Sequence, residues 1–131
     1  GEGCDTEASD WIISVVDRAN PRQVGSYDTL GYAYDVHVGG DYAYVADSDG
    51  LRIVSVADKA NPREVGFLQT PGSATAVDVA GAHAYVADHY GLHVISVADK
   101  THPRQVGVFE ESISPEDVQV AGEFVYLATF G

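Results

Sequence analysis

Short apolar-rich segments recur along this chain, some of them with alternating polar residues, and clusters of turn-forming residues separate the segments. Four consecutive segments show this most clearly: 35–38, 42–47, 51–56 and 63–68. Each is bounded by Gly, Asp, Ser or Asn-Pro, and most are rich in β-branched or aromatic residues, which is typical of β-strands joined by turns. The pattern therefore predicts four antiparallel strands in succession, which we name A, B, C and D.

The same pattern recurs at a fixed spacing of 41 residues without insertions. Two motifs are present in three copies: a turn at 17–22, 58–63 and 99–104, and a hairpin segment at 40–46, 81–87 and 122–128. A period near forty residues made of four short strands is typical of β-propellers, in which each repeat forms one blade. We therefore predict an all-β chain: a β-propeller of four-stranded antiparallel blades, with three 41-residue repeats and terminal half-blades.

The phase of the repeat divides the chain, taken as a single domain over 1–131, into five segments. They are a loose N-terminal segment (1–10), a half-blade of strands C and D (11–34), two whole blades (35–75 and 76–116) and a half-blade of strands A and B (117–131). In closed propellers, strands from opposite chain ends commonly complete one blade and remove exposed sheet edges. Because three blades are too few for an ordinary ring, two alternatives follow. Either two chains close a six-bladed ring as a dimer, or the remaining repeats belong to a longer chain.

Some residues repeat identically at equivalent positions, and these are predicted to be structural. Asp17, Asp58 and Asp99 each precede a turn whose backbone N–H groups a carboxylate can cap. Gly40 and its equivalents, Gly81 and Gly122, are expected to supply the turn conformation between strands A and B.

One family resemblance rests on these motifs. The segments Leu51–Asp58 (LRIVSVAD) and Leu92–Asp99 (LHVISVAD) resemble the LVIVD repeat, and the preceding hairpin, Asp35–Asp47, is similar to the first hairpin of that family. The resemblance extends over most of 11–131, although Trp11–Asp17 lacks the leading Gly-Leu. It implies a β-propeller from extracellular or cell-surface proteins of bacteria or archaea, so we expect that location. The family has no shared catalytic residues to carry over.

Composition narrows the classes of partner. The chain has twenty Asp and Glu residues against seven Lys and Arg, a net charge of −13. This charge repels nucleic acid and anionic lipid, so we expect neither as a partner. No apolar run is long enough for membrane insertion. The single cysteine, Cys4, excludes an intrachain disulfide, and its role stays open.

The predicted strand order also sorts the charges. The A–B and C–D turns must lie at one end of each sheet, and the B–C turns and D–A connections at the other. Six of the seven basic residues fall in the C–D turns, whereas the other end is acidic, aromatic and the least repetitive part. Variation on a shared scaffold is where binding specificity is expected. We predict that this end binds a protein or carbohydrate ligand; the candidates here and on the adjoining strands are Asp35, His37, Asp47, Asp49, Asp78, Asp88, His89, Tyr90 and Asp117.

Two cation hypotheses remain, and no other cofactor is expected. Asp47 and Asp49 precede a glycine as in the start of a calcium loop, so weak calcium binding is the alternative to a solvated acidic turn. His37 lies on strand A and is expected to meet Asp78 and Gln119 around the central channel. An enzymatic alternative is a metal-dependent hydrolase or lyase at the channel mouth, with His37, Asp78 and either Asp35 or Asp117 as ligands or bases. No nucleophile or phosphate-loop motif occurs, so a noncatalytic binding or scaffold propeller is favoured.

Overall fold

The computed structural model describes residues 9–28 and 31–130, with side chains from residue 11, so Cys4 lies outside the described residues. This part of the chain forms twelve β-strands and contains no helix, hence none long and apolar enough to cross a membrane. The strands are β1 (Ser9–Ser14), β2 (Arg22–Asp28), β3 (Ala33–Gly39), β4 (Tyr42–Asp47), β5 (Gly50–Ser55), β6 (Arg63–Gln69), β7 (Ala76–Ala80), β8 (His83–Asp88), β9 (Gly91–Ser96), β10 (Arg104–Glu110), β11 (Pro115–Ala121) and β12 (Phe124–Thr129). The prediction of an all-β chain is confirmed.

The strands form two four-stranded sheets flanked by two hairpins, and every pairing is antiparallel. The first sheet has the order β3-β4-β5-β6 and the second has the order β10-β9-β8-β7. The N-terminal hairpin is β1-β2 and the C-terminal hairpin is β11-β12. Strands that follow one another in the chain are neighbours in each sheet, so the four-stranded antiparallel sheets predicted from the alternation are confirmed.

Two local irregularities recur at the repeat spacing. Gly40, Gly81 and Gly122 have φ values of 61°, 60° and 61°, so the turns after β3, β7 and β11 require the left-handed conformation that glycine adopts freely. A bulge also interrupts β2, β6 and β10: Val24, Val65 and Val106 have no partner on the neighbouring strand. Each of these bulges comes directly before a glycine, at Gly25, Gly66 or Gly107.

The main core lies between the facing first and second sheets. Leu51 and Ile53 from the first sheet are fully buried in it, together with Val86 and Ile95 from the second. Smaller apolar clusters join the N-terminal hairpin to the first sheet and the C-terminal hairpin to the second. The N-terminal hairpin, the two sheets and the C-terminal hairpin are therefore stacked in the order of the chain, and each four-stranded sheet packs on both faces. This explains why β4 and β5 are apolar at almost every position instead of alternating.

Candidate functional site

Asp47 closes the turn between β4 and β5 from inside the protein. Its side chain is fully buried, and its Oδ1 accepts hydrogen bonds from the backbone N–H groups of Asp49 (2.8 Å) and Gly50 (3.0 Å). Its Oδ2 accepts a hydrogen bond from Nε of Arg52. The structure thus corrects the expectation that Asp47 faces a partner, because neither carboxylate oxygen is open to one.

Arg52 supplies the positive charge in this turn. Its Nη2 lies 3.1 Å from Oδ2 of Asp49, its Nη1 lies 3.3 Å from Oε2 of Glu64, and its guanidinium stacks on the ring of Phe67 at 4.2 Å. Burial acts to lower the pKa of Arg52, but the hydrogen bond and charge of Asp47, together with Glu64, raise that pKa above its ordinary value. Arg52 thus already occupies the space between the Asp47 and Asp49 carboxylates, and weak calcium binding there stays a prediction.

Asp88 takes the same place in the second sheet, with His93 in place of Arg52. It is fully buried, and its Oδ1 accepts hydrogen bonds from the backbone N–H of Tyr90 and from Nε2 of His93, both at 2.9 Å. Its Oδ2 accepts from the backbone N–H of Gly72 at 3.0 Å. Nδ1 of His93 lies 2.9 Å from Oε1 of Gln105. Asp88 is therefore a structural residue as well, and its assignment to the binding face is corrected.

The first strand of each sheet lies beside that of its neighbour, and carboxylates connect them. β3 contacts β7, and β7 contacts β11. Oδ2 of Asp35 accepts a hydrogen bond from the backbone N–H of Val77 (3.0 Å), and Oδ2 of Asp78 accepts one from Val120 (2.8 Å). Nδ1 of His37 lies 2.9 Å from Oδ1 of Asp78. The structure thus brings His37 and Asp78 together, although they come from different sheets.

This pair does not extend into a metal site. Oδ1 of Asp78 also accepts the N–H of Val79 at 3.0 Å, so both of its oxygens are already bonded to the protein. Asp117 and Gln119 line a separate cavity of about 300 Å³ on the C-terminal hairpin. Within the described ranges, no group of three His, Cys, Asp or Glu side chains is placed to hold a metal ion. The geometry therefore gives no support to the metal-dependent enzyme.

The loops at the other end of the sheets form an exposed surface that backbone hydrogen bonds hold in place. The N–H of Ser48 donates to the carbonyl of Tyr32 (3.0 Å), and the N–H of Ile113 donates to the carbonyl of His89 (3.2 Å). The ring of His89 is tied down as well, with Nδ1 3.0 Å from the carbonyl of Ile113. We call this surface the acidic loop edge; its exposed residues are Tyr32, Tyr34, Asp49, His89, Tyr90, Glu110, Glu111 and Phe130.

Comparison with protein families agrees with this repeating geometry. A family model of the LVIVD repeat matches residues 30–70 and 71–110, which together make up more than half of the chain. The chain belongs to the LVIVD-repeat family. No curated protein matches it.

The structure shows which polar residues the sequence pattern alone did not reveal. Arg52 and His93 occupy equivalent positions in the two matched repeats, and each bonds to the buried aspartate of its own turn. An Asp followed five residues later by Arg or His, across a turn that ends in glycine, is the signal present in both. Because arginine and histidine differ in size and chemistry, the equivalence does not stand out in the sequence.

Proposed function

We propose that this chain is a noncatalytic β-propeller module that binds a basic protein surface through its acidic loop edge, outside the cell or on its surface. The proposal rests on which carboxylates are bonded within the protein and which remain exposed. Asp47 and Asp88 are buried, and the oxygens of Asp35 and Asp78 are bonded within the protein. The acids that remain exposed at this end of the sheets lie among exposed aromatic rings.

The propeller arrangement is supported by the order of the layers. Each sheet packs face to face on the next one in chain order, and β3, β7 and β11 are neighbours. In a propeller the first strand of every blade lines the central axis, which brings these strands together in the same way. The extracellular or surface location rests on the family resemblance.

The choice of a basic protein as ligand follows from charge. The B–C turns and D–A connections contain no Lys or Arg, and the arginine nearest to them, Arg52, is buried in its ion pairs. Carboxylates attract cationic side chains, while Tyr32, Tyr90 and Phe130 offer ring faces for cation–π contacts. A carbohydrate uses the rings but gains little from the carboxylates.

The test compares charge removal at the two ends of the sheets. Glu110→Gln with Glu111→Gln removes two charges from the acidic loop edge, and Asp41→Asn with Glu123→Gln removes two from the opposite end. Binding of a polylysine peptide, measured by calorimetry at low salt, is expected to weaken roughly fivefold in the first variant, as for exposed ion pairs. The second variant should bind as the unmodified chain does. Equal weakening in both variants would show attraction to net charge alone and would overturn the proposal.

A further inference from the structure

Three glycines at equivalent positions have unequal surroundings. A Cβ atom on Gly25 would lie 1.9 Å from the carbonyl oxygen of Lys59, and one on Gly66 would lie 2.1 Å from that of Lys100. In both cases a strand presses against the C–D turn of the next sheet, which leaves no room for a side chain. A Cβ atom on Gly107 would meet only the side chain of Val94, at an ordinary 3.8 Å. Within the described residues, nothing occupies the place where the next C–D turn would lie.

Apolar side chains are exposed on the faces where this repeating contact stops. Val36 and Val38 on β3 are 51% and 60% exposed, whereas Val77, the equivalent of Val36, is only 4% exposed. On the C-terminal hairpin, Tyr126 is 61% exposed, although its equivalent in the first sheet, Tyr44, is 3% exposed. The two faces are therefore the two halves of an inter-sheet contact that this chain already makes between successive layers.

A cavity of about 380 Å³ lies at the first of these faces, between the N-terminal hairpin and the first sheet. Its walls are almost entirely apolar and include Trp11, Ile12, Val36 and Val38. Strand β1, beside it, pairs only with β2 among the described strands, and β12 pairs only with β11. The cavity thus lies where strands A and B of a complete sheet would be, next to a free strand edge.

We propose that the C-terminal hairpin of a second copy of this chain fills this cavity, and that the same exchange in the other direction closes a two-fold dimer of six sheets. β12 of one copy then pairs with β1 of the other, giving two composite sheets of the order β11-β12-β1-β2. The register follows from the repeat: Phe124 lies opposite Ser14, as Tyr42 lies opposite Ser55 and His83 opposite Ser96. The carbonyl of Arg18 in one copy then meets Gly107 of the other.

A second copy fits this place better than an unrelated partner does, because both halves of the contact are present on one chain. Each exposed apolar face is the counterpart of a residue set already buried between the first and second sheets. Closed head-to-tail association also pairs the edges of β1 and β12 that face no other described strand. The inference rests on the propeller part of the proposed function but not on ligand binding, which involves other residues.

Gly107→Ala is the decisive variant, because the methyl group is harmless within one chain and collides only in the dimer. Native mass spectrometry and light scattering of the full chain should show a dimer of the 13.9 kDa subunit. Gly107→Ala should raise the dimer dissociation constant by about tenfold or more, as overpacking does. Its circular dichroism spectrum should stay unchanged, which separates loss of association from loss of folding.

Gly39→Ala is the matched control. Its added Cβ meets only the Tyr44 ring at 3.9 Å, and the equivalent positions already carry alanine, at Ala80 and Ala121. This variant should dimerise as the unmodified chain does. A monomeric unmodified chain at micromolar concentration would overturn the proposal and favour further repeats of a longer chain as the occupant. Equal dimerisation of Gly107→Ala would overturn the proposed geometry.

A cross-linking experiment tests the register independently. Phe124→Cys and Ser14→Cys are combined in one chain with Cys4→Ser, and the protein is oxidised under native conditions. Paired positions of an antiparallel ladder bring Cα atoms within disulfide range, so a covalent dimer is expected on a non-reducing gel. The pair Val38→Cys and Ser14→Cys serves as the control and should stay monomeric. Absence of the covalent dimer, or equal cross-linking in the control, would contradict the register.

Discussion

At the scale of single residues, two different side chains bond to equivalent buried aspartates. A buried aspartate holds the B–C turn in each complete sheet, and a buried carboxylate left without bonded partners is costly. Arg52 is one such partner in the first sheet and His93 is one in the second. The neighbouring position differs as well: Glu64 contacts Arg52 in the first sheet, and the equivalent residue in the second sheet, Gln105, contacts His93.

Removing either of these side chains should therefore destabilise the fold rather than alter binding. We expect His93→Ala to lower the free energy of unfolding by about 3 kcal/mol, the usual effect of leaving one member of a buried pair alone. His102→Ala is the control, because the His102 side chain is 83% exposed and bonds an exposed carboxylate. Urea denaturation monitored by circular dichroism measures both. A loss below 1 kcal/mol for His93→Ala, on the usual scale for exposed pairs, would contradict the interpretation.

The capping aspartates of the C–D turns predict a pH effect. Hydrogen bonds from the Thr101 side chain and backbone N–H, and then from His102, lower the pKa of Asp99 below its ordinary value. A carboxyl whose pKa is lower in the folded state stabilises the fold above its unfolded pKa. That contribution is lost as the pH falls through the folded pKa.

We expect a carbon-detected NMR titration to place the Asp99 pKa below the ordinary value of an aspartate carboxyl. Thr101→Ala removes the largest cause and should shift the Asp99 pKa back towards its ordinary value. If Asp99 has the same pKa with and without the Thr101 side chain, the cap does not act on the carboxylate as the geometry indicates.

At the scale of elements, the bulge and glycine in the last strand of each sheet let neighbouring sheets approach closely. The extra valine shifts the register, and in β2 and β6 the following glycine, Gly25 or Gly66, rests against a backbone carbonyl of the next layer. The bulge and glycine therefore matter to stability only where the backbone of a neighbouring sheet lies against them.

Gly66→Ala should consequently destabilise the chain by about 2 kcal/mol, because its Cβ would overlap the carbonyl of Lys100 and backbone atoms cannot move aside easily. Gly39→Ala, which has open space, should be close to neutral. Thermal unfolding at one low protein concentration measures both without a contribution from association. Equal stability of the two variants would show that the sheets can separate at Gly66 without cost.

At the scale of the whole molecule, the charge is large and unevenly placed. Six of the seven basic residues lie at the end with the A–B and C–D turns, and Nζ of both Lys59 and Lys100 is bonded to a backbone carbonyl nearby. On the acidic loop edge, Asp49 is paired with Arg52, whereas no ion pair is seen for Glu110 or Glu111 among the described residues. Repulsion among its carboxylates opposes the compact state, and salt screens that repulsion.

We therefore expect added NaCl to raise the midpoint of thermal unfolding of the unmodified chain. The double variant Glu110→Gln with Glu111→Gln should show a smaller rise, because part of the repulsion is already removed. Differential scanning calorimetry over a series of NaCl concentrations checks both. A midpoint that falls with salt would indicate that ion pairs such as Arg52 with Glu64 outweigh the repulsion.

The sequence by itself determined the strands, their order and their turns, because these depend on neighbours in the chain. Alternation predicted strands A to D close to their observed bounds, from β3 to β6, and the glycine after β3 marked a left-handed turn. The 41-residue repeat also predicted that His37 and Asp78 lie close together, because equal spacing places the equivalent strands β3 and β7 side by side.

Only the tertiary structure decided which polar residues are free. Asp47 and Asp49 are two residues apart and look alike in the sequence, yet Asp47 is fully buried on Arg52 while Asp49 remains at the surface. Burial depends on the neighbouring sheet, and that sheet comes from residues far along the chain. For the same reason, the difference between Gly66 and Gly107 cannot be read from identical local patterns. A Cβ on Gly66 would overlap a backbone carbonyl, whereas one on Gly107 would meet only the Val94 side chain at an ordinary distance.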